Sequence, residues 1–199
     1  MSGLALTQTA FRVTPGQRPE SYFRVRQLDG TKAYALAAIE HANLRIRVLG
    51  ATIHPGEDWI VQQTRNLLMD LEETGSRVKF VLHDRDRLFH EGFDAVFTAA
   101  GVQIVRSGIR VPRMNAVMER WIGTCRRELL DRTLIWNIPH LRRILAEYER
   151  YYNEHRPHRT LVSAAPLTPL PAPVNDLDDF RVRRHDRIGG IIHEYQEAA

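Results

Sequence analysis

With 199 residues, 43% of them hydrophobic, the chain is long enough for one substantial domain with a buried core, and no stretch approaches the roughly 18 apolar residues of a membrane span. A soluble cytoplasmic protein is expected, and the single cysteine, Cys125, excludes an internal disulfide. The formal net charge is +4, and of 28 basic residues only Lys32 and Lys79 are lysine. Arginine's planar fork suits phosphate oxygens, but a GC-rich coding sequence would produce the same surplus, so composition leaves the partner open.

Residues 1–20 show no sustained period and read as an irregular lead-in. From Ser21 onward "SYFRVRQ" and "KAYALAAIEH" are rich in strand formers, and the Asp29-Gly30 pair between them is a hairpin signal. "LRIRVLGAT" follows a short turn at Ala42 and Asn43 as a third strand, which completes an antiparallel meander. Over 55–72, Pro55 is placed at the first helical position, Glu57 and Asp58 suit a helix start, and Ile60, Thr64, Leu67 and Leu71 recur on one face. The spacing predicts a helix there. A strand through Phe80 and Leu82, a short helix near 91–100 and the strand "VQIVRS" come next, and their alternation predicts an α/β fold with short parallel strands.

Two further helices are expected, at about 113–131 and 139–153. Pro166, Pro169, Pro171 and Pro173 then mark an extended linker, and the tail reads as a small hairpin around Gly189-Gly190, which needs a surface to dock on. In the helix after Arg113, the residues Met118, Ile122, Cys125 and Leu129 form a buried stripe. Glu119 sits at its edge, with Asn115, Gly123 and Arg126 on the same side, while Arg120 and Arg127 point further toward solvent. One flank thus presents an amide, a carboxylate, a gap and a cation in a row.

Three stretches in order, "HDRDRLF", "VPRMNAVMERWIGTCRREL" and "YYNEHRPHRTL", resemble the integrase-core transposases of bacterial insertion sequences and their retroviral integrase relatives. Pro112, Asn115, Glu119 and Arg120 match the family's P-x-x-N-x-x-x-E-R arrangement. Asn153, Arg156, Pro157, His158 and Leu161 match its Y-N-x-x-R-P-H-x-x-L ending. The resemblance implies a ribonuclease H-like α/β fold, a mixed sheet of three antiparallel strands and then shorter parallel strands flanked by helices. It also implies a catalytic core over 21–162 and the linker with its hairpin over 163–199. It makes Asp84 and Glu119, 35 positions apart, catalytic ligands of Mg²⁺ or Mn²⁺, since hard cations take oxygen donors. Arg113, Asn115, Arg126 and Arg127 become the DNA contacts. The implied activity is DNA integration and transposition, with DNA, further copies of the chain or an intact transposase as partners and no membrane.

One feature of the family pattern is missing. Its third carboxylate stands on the first strand just before two aromatic residues, and there this chain has Ser21. Glu20 would point to the other face of that strand, and Asp29 lies in the turn. Asp86 reads as loop solvation. The family's usual helix-turn-helix segments before the core are also missing, so a truncated copy, or a misassigned start, with impaired catalysis is expected. The alternative is a non-catalytic DNA-binding or assembly subunit that uses Arg113, Arg126, Arg127 and the tail arginines Arg181, Arg183, Arg184 and Arg187 on phosphates. No zinc site is expected from His83, His90, His155 and His158. His158 instead fastens the segment after the last helix to the core.

Overall fold

The computed structural model describes residues 23–83, 89, 91–106, 116–170 and 181–197. Three antiparallel strands come first: β1 (Phe23–Arg26), β2 (Lys32–Ile39) and β3 (Ile46–Thr52), in spatial order 1-2-3. The β1–β2 turn is closed by Asp29, whose carboxylate accepts from the backbone N and the hydroxyl of Thr31, both at 2.9 Å. Gly30 takes φ +84°, which a side chain would oppose. Between β2 and β3 the register slips at Leu36/Ala37: Leu36 opposes Gly50 and Ala37 opposes Val48, so Leu49 is the extra residue.

β2 is covered on both faces, which explains its nearly unbroken apolar run. Ala33, Ala35, Ala37 and Ile39 join one core with the helices that follow residue 115. Leu36 and Ala38 join a second core with Ile60, Leu67 and Leu71 of α1 (Glu57–Glu73) and with Val81. The expected apolar face of α1 is the buried one, Thr64 included. Pro55, however, is not its first helical residue. Gly56 is the N-cap and is extended (φ −109°, ψ 167°), so the proline ends the approach rather than opening the helix.

β4 (Phe80–His83) and β5 (Gln103–Arg106) pair in parallel across α2 (Glu91–Ala99), as the alternation predicts. Among the described residues the backbone ladder falls into separate pieces, β1-β2-β3 and β4-β5. The shared packing of Leu36, Ala38 and Val81 joins them. α3 (Ala116–Glu128) ends before the expected 131, while its expected start at 113 lies outside the described residues. Residues 107–115 lie outside the described residues, and after Glu128 the chain tightens into a 3₁₀ turn at Leu130–Arg132. α4 (Ile138–Glu154) starts at Asn137, whose side chain accepts from His140 N at 2.8 Å, with Pro139 in the first turn. No helix among the described residues is long and apolar enough to cross a membrane.

Side chains of α4 cover the outer edge of β3. Asn153 Oδ1 accepts from Ile46 N and its Nδ2 donates to Ile46 O, both at 2.8 Å. Glu149 Oε2 accepts from Val48 N at 3.0 Å, and Arg142 donates twice to Ala51 O. These bonds satisfy backbone groups that an edge strand would otherwise leave open. Asn153→Ala would strand a buried donor and a buried acceptor together. We expect it to lower unfolding free energy by about 2 to 4 kcal/mol in denaturant titration. An unchanged midpoint would show that water replaces the amide at no cost.

The tail hairpin, β6 (Val182–Arg187) with β7 (Ile192–Glu197), turns through Gly189 and Gly190, both at positive φ, and docks on α4. Ile192 enters the first core, and Ile188 N donates to Glu147 Oε1 at 3.0 Å. The side chain of Glu194 is only 1% exposed. It accepts from Arg187 and lies 3.2 Å from His155 Nδ1. Burial works against its charge, but the hydrogen bond from the Arg187 guanidinium, with His155 beside it, prevails and holds its carboxyl below the usual range.

Candidate functional site

Among the residues that the sequence singles out, Asp84, Arg113, Asn115 and Ser21 lie outside the described residues, as do Asp86 and His90. Glu119, Arg126 and Arg127 are described, and all three lie on α3. That helix forms because Met118, Ile122 and Cys125, together with Trp121, bury one stripe against β2 and α4, and Leu129 continues it just past the helix end. Glu119 stands in the first turn, where a carboxylate complements the positive end of the helix dipole. It is partly buried, as are Gly123 and Arg126, and the three share a flank of the helix.

Arg127 is exposed, as expected, but it folds back along the helix rather than extending into solvent. Its Nη1 lies 3.2 Å from where a Cβ on Gly123 would stand, and its Nη2 donates to Thr124 Oγ1 at 3.4 Å. The gap at Gly123 is therefore roofed by a guanidinium. Arg120 is exposed on the outer face.

The other flank of α3 is tied down through Glu128, which the sequence reading did not select, and Arg156, which it named only as part of the family's ending. Glu128 accepts from Arg156 (Nη2 to Oε1, 2.8 Å) and from the Tyr148 hydroxyl at 2.9 Å, and the guanidinium of Arg156 lies 5.5 Å from the Tyr152 ring centre. Burial and the neighbouring Glu128 carboxylate both push the Tyr148 phenol well up, and burial lifts Tyr152 to about 12. Glu128 is nine positions beyond Glu119, about half a turn away around the helix axis. The "YNEHRPH" stretch thus fastens α3 from behind, on the side opposite Glu119. A carboxylate beside the buried stripe signals that Glu128 needs a partner, but not which one.

The described histidines of interest have separate surroundings: His83 lies beside Asp94, His155 beside Glu194, and His158 packs its ring 4.6 Å from that of Tyr152. His158 is buried. Its backbone N donates to Ala164 O and its carbonyl accepts from Ser163 N, so it fastens the segment after α4 as expected. Burial, with the positive Arg156 nearby, lowers its pKa below the usual 6.5. A base whose folded pKa is depressed loses stabilising power as pH falls from the unfolded pKa toward the folded one. Melting temperature is therefore expected to drop on going from pH 7 to pH 5.5, and less so in His158→Phe, which keeps the ring contact but cannot titrate. Equal drops in both would assign the effect to other groups.

Among the described residues, no three His, Cys, Asp or Glu side chains gather as they would around a metal ion. The donors the sequence offers, Asp84 and Glu119, are both carboxylates, and Cys125 is fully buried on the far side of α3. Oxygen donors alone suit Mg²⁺ or Mn²⁺ and not a soft cation.

Residues 100–166 match the family model of the integrase core domain. No curated protein sequence matches. A chain in the structure of the simian T-cell lymphotropic virus intasome in complex with PP2A regulatory subunit B56 gamma superposes with a TM-score of 0.62 at 10% identity, covering 100% of this chain and 68% of that one. The HTLV-2 integrase catalytic core domain in complex with magnesium, in its trimeric form, superposes with a TM-score of 0.51 at 9% identity, covering 83% of this chain and 95% of that one. Identities this low establish shared architecture: the fold is that of an integrase catalytic core, ribonuclease H-like.

Proposed function

From the relation of this chain to the integrase-core family, carried by residues 100–166 and by the fold, we propose that it is the catalytic core of a DNA transposase, impaired in this copy. The observation that carries the reading is α3. The family match spans it, its buried stripe and the Glu128–Arg156 tie hold it from behind, and Glu119 lies on the opposite flank. Residues 21–162 form this core, and 163–199 are a linker and a hairpin that packs back on α4.

Asp84 and Glu119 are the residues that would hold Mg²⁺ or Mn²⁺, and the HTLV-2 core, solved in complex with magnesium, supports the use of a divalent ion. The bound ions would supply stabilisation of the attacking and leaving oxygens during an in-line displacement at phosphorus. Arg126 and Arg127, with Arg113 and Asn115 upstream on the same segment, would neutralise and align DNA phosphates beside the carboxylates. Further copies of this chain are the expected partners, since the HTLV-2 core was solved in dimeric and trimeric forms.

The impairment follows from the first strand. β1 reads F-R-V-R and holds no carboxylate, and Ser21 stands ahead of it. With only two carboxylates, one divalent ion would bind weakly and a second hardly at all without DNA. The test is Mg²⁺- or Mn²⁺-dependent nicking and joining of terminal-repeat DNA, with Asp84→Asn as control and with a carboxylate restored by Ser21→Asp or, at the exposed end of β1, by Arg26→Asp. Weak activity that rises in a restored variant and vanishes with Asp84→Asn supports the reading. Strong activity in the unaltered chain would refute impairment, and activity indifferent to Asp84→Asn would refute the site. The exposed Arg120, Arg127, Arg181, Arg183 and Arg184 favour the second reading, a non-catalytic DNA-binding or assembly subunit. That reading predicts no activity in any variant, with log affinity for DNA falling by about 0.9 per neutralised phosphate for each unit of log salt.

A further inference from the structure

Glycine is among the poorest residues for the interior of a helix, because it gives up the most backbone freedom on folding and has no side chain to pack. Gly123 nevertheless stands in the middle of α3. Where packing demands a glycine, the neighbours show it: a Cβ on Gly50 would stand 2.9 Å from Gln63 Oε1 and 3.2 Å from Trp59 Cζ2. At Gly123 the surroundings are different. Among the described residues, and leaving aside the backbone of its own helix, the one atom within 4 Å of a Cβ there is Arg127 Nη1, at 3.2 Å. That atom is the far end of a flexible side chain, so nothing described in the core requires the glycine.

Arg127 gives the notch its chemistry. The side chain is exposed and pairs with no acid among the described residues, although the exposed Asp131 stands four positions on. Its Nη2 instead donates to Thr124 Oγ1 at 3.4 Å. The Thr124 hydroxyl is itself committed as a donor to Arg120 O at 2.8 Å, so its oxygen is left to accept. A guanidinium carries five N–H donors in a planar fork that suits the paired oxygens of a phosphate, and the bond to Thr124 leaves most of them for such a group. Exposed Arg120, three positions before the glycine, adds a second cation nearby. We infer that Gly123 and Arg127 form one phosphate seat: the missing side chain lets a DNA backbone phosphate settle against α3, and the guanidinium, steered by Thr124, closes over it. The inference rests on the reading of α3 as a DNA contact and names the place on the helix where the backbone lies. Thr124 acts through Arg127 as a positioning residue.

The experiment is fluorescence anisotropy of two labelled duplexes of unrelated sequence titrated with the full chain over a range of salt, with the melting temperature of each variant recorded alongside. Gly123→Ala is expected to raise the melting temperature by about 2 to 4 °C, because the helix gains a better former. The same variant should bind both duplexes more weakly. Arg127→Gln is expected to weaken both by about tenfold and to lower the slope of log affinity against log salt by about 0.9. Gly123→Ala should lose less than this, and the double variant little more than Arg127→Gln alone, since both changes act on one seat. Unchanged affinity in Gly123→Ala overturns the seat, and so does a lower melting temperature, which would mean that packing requires the glycine. A loss in the double variant equal to the product of the two single losses overturns it as well, because the residues would then act independently. If Arg127→Gln binds as tightly as the unaltered chain while Arg126→Gln does not, the seat fails and the DNA reading of α3 stands. If neither substitution weakens binding, that reading fails with it.

Discussion

Glu119→Gln is expected to abolish measurable Mn²⁺ binding while it moves the melting temperature by no more than about 4 °C. On the proposed reading Glu119 and Asp84 are the two carboxylate ligands, so replacing Glu119 by a neutral amide halves the negative charge offered to the ion and removes a hard donor. The side chain is only partly buried, and its place in the first turn of α3 contributes about 0.3 to 1 kcal/mol to the helix. Glu128→Gln on the opposite flank should behave in reverse. It weakens the bonds from Arg156 and Tyr148, lowers the melting temperature and leaves Mn²⁺ affinity nearly unchanged. Loss of metal binding in both variants alike would mean that α3 responds as a whole and that Glu119 is not distinguished by chemistry.

Trp121→Ala is expected to lower the free energy of unfolding by about 3 to 5 kcal/mol, the largest effect of any single truncation in α3. Its side chain is 1% exposed and belongs to the core that joins α3, α4 and the alanine face of β2. Ala33, Ala35 and Ala37 belong to the same core and are too small to close the cavity that loss of the indole leaves. A loss of this size is a large part of the stability of a domain and would release the helix that bears Glu119. Denaturant unfolding measures it directly. A loss below about 1 kcal/mol would show that neighbouring side chains collapse into the space.

Some of this architecture can be read directly from the chain, because the signals are local. The four residues at helical spacing in α1 are the buried ones, since a helix presents every third or fourth side chain to whatever covers it. Asp29-Gly30 makes the turn it suggests because its geometry depends on a glycine φ and an aspartate two residues from the amide it bonds. The order of strands and helices, and the flank of α3 that carries Glu119, follow from periodicity in the same way.

Other features needed the assembled fold because they join residues far apart in sequence. No local pattern places Asn153 on the edge of β3, 107 positions earlier, or pairs Glu128 with Arg156. The motif "YNEHRPH" is legible as a motif, but its part in holding α3 from behind appears only once α3 and α4 are packed together. The same holds for His83. In the sequence it is a polar residue where a strand leaves a core, and only the parallel register with Arg106 and the placement of α2 bring both to Asp94. Hydrogen bonds and ion pairs are short-ranged, so periodicity sets which face of an element is apolar, while the tertiary fold decides which polar group waits on the other side.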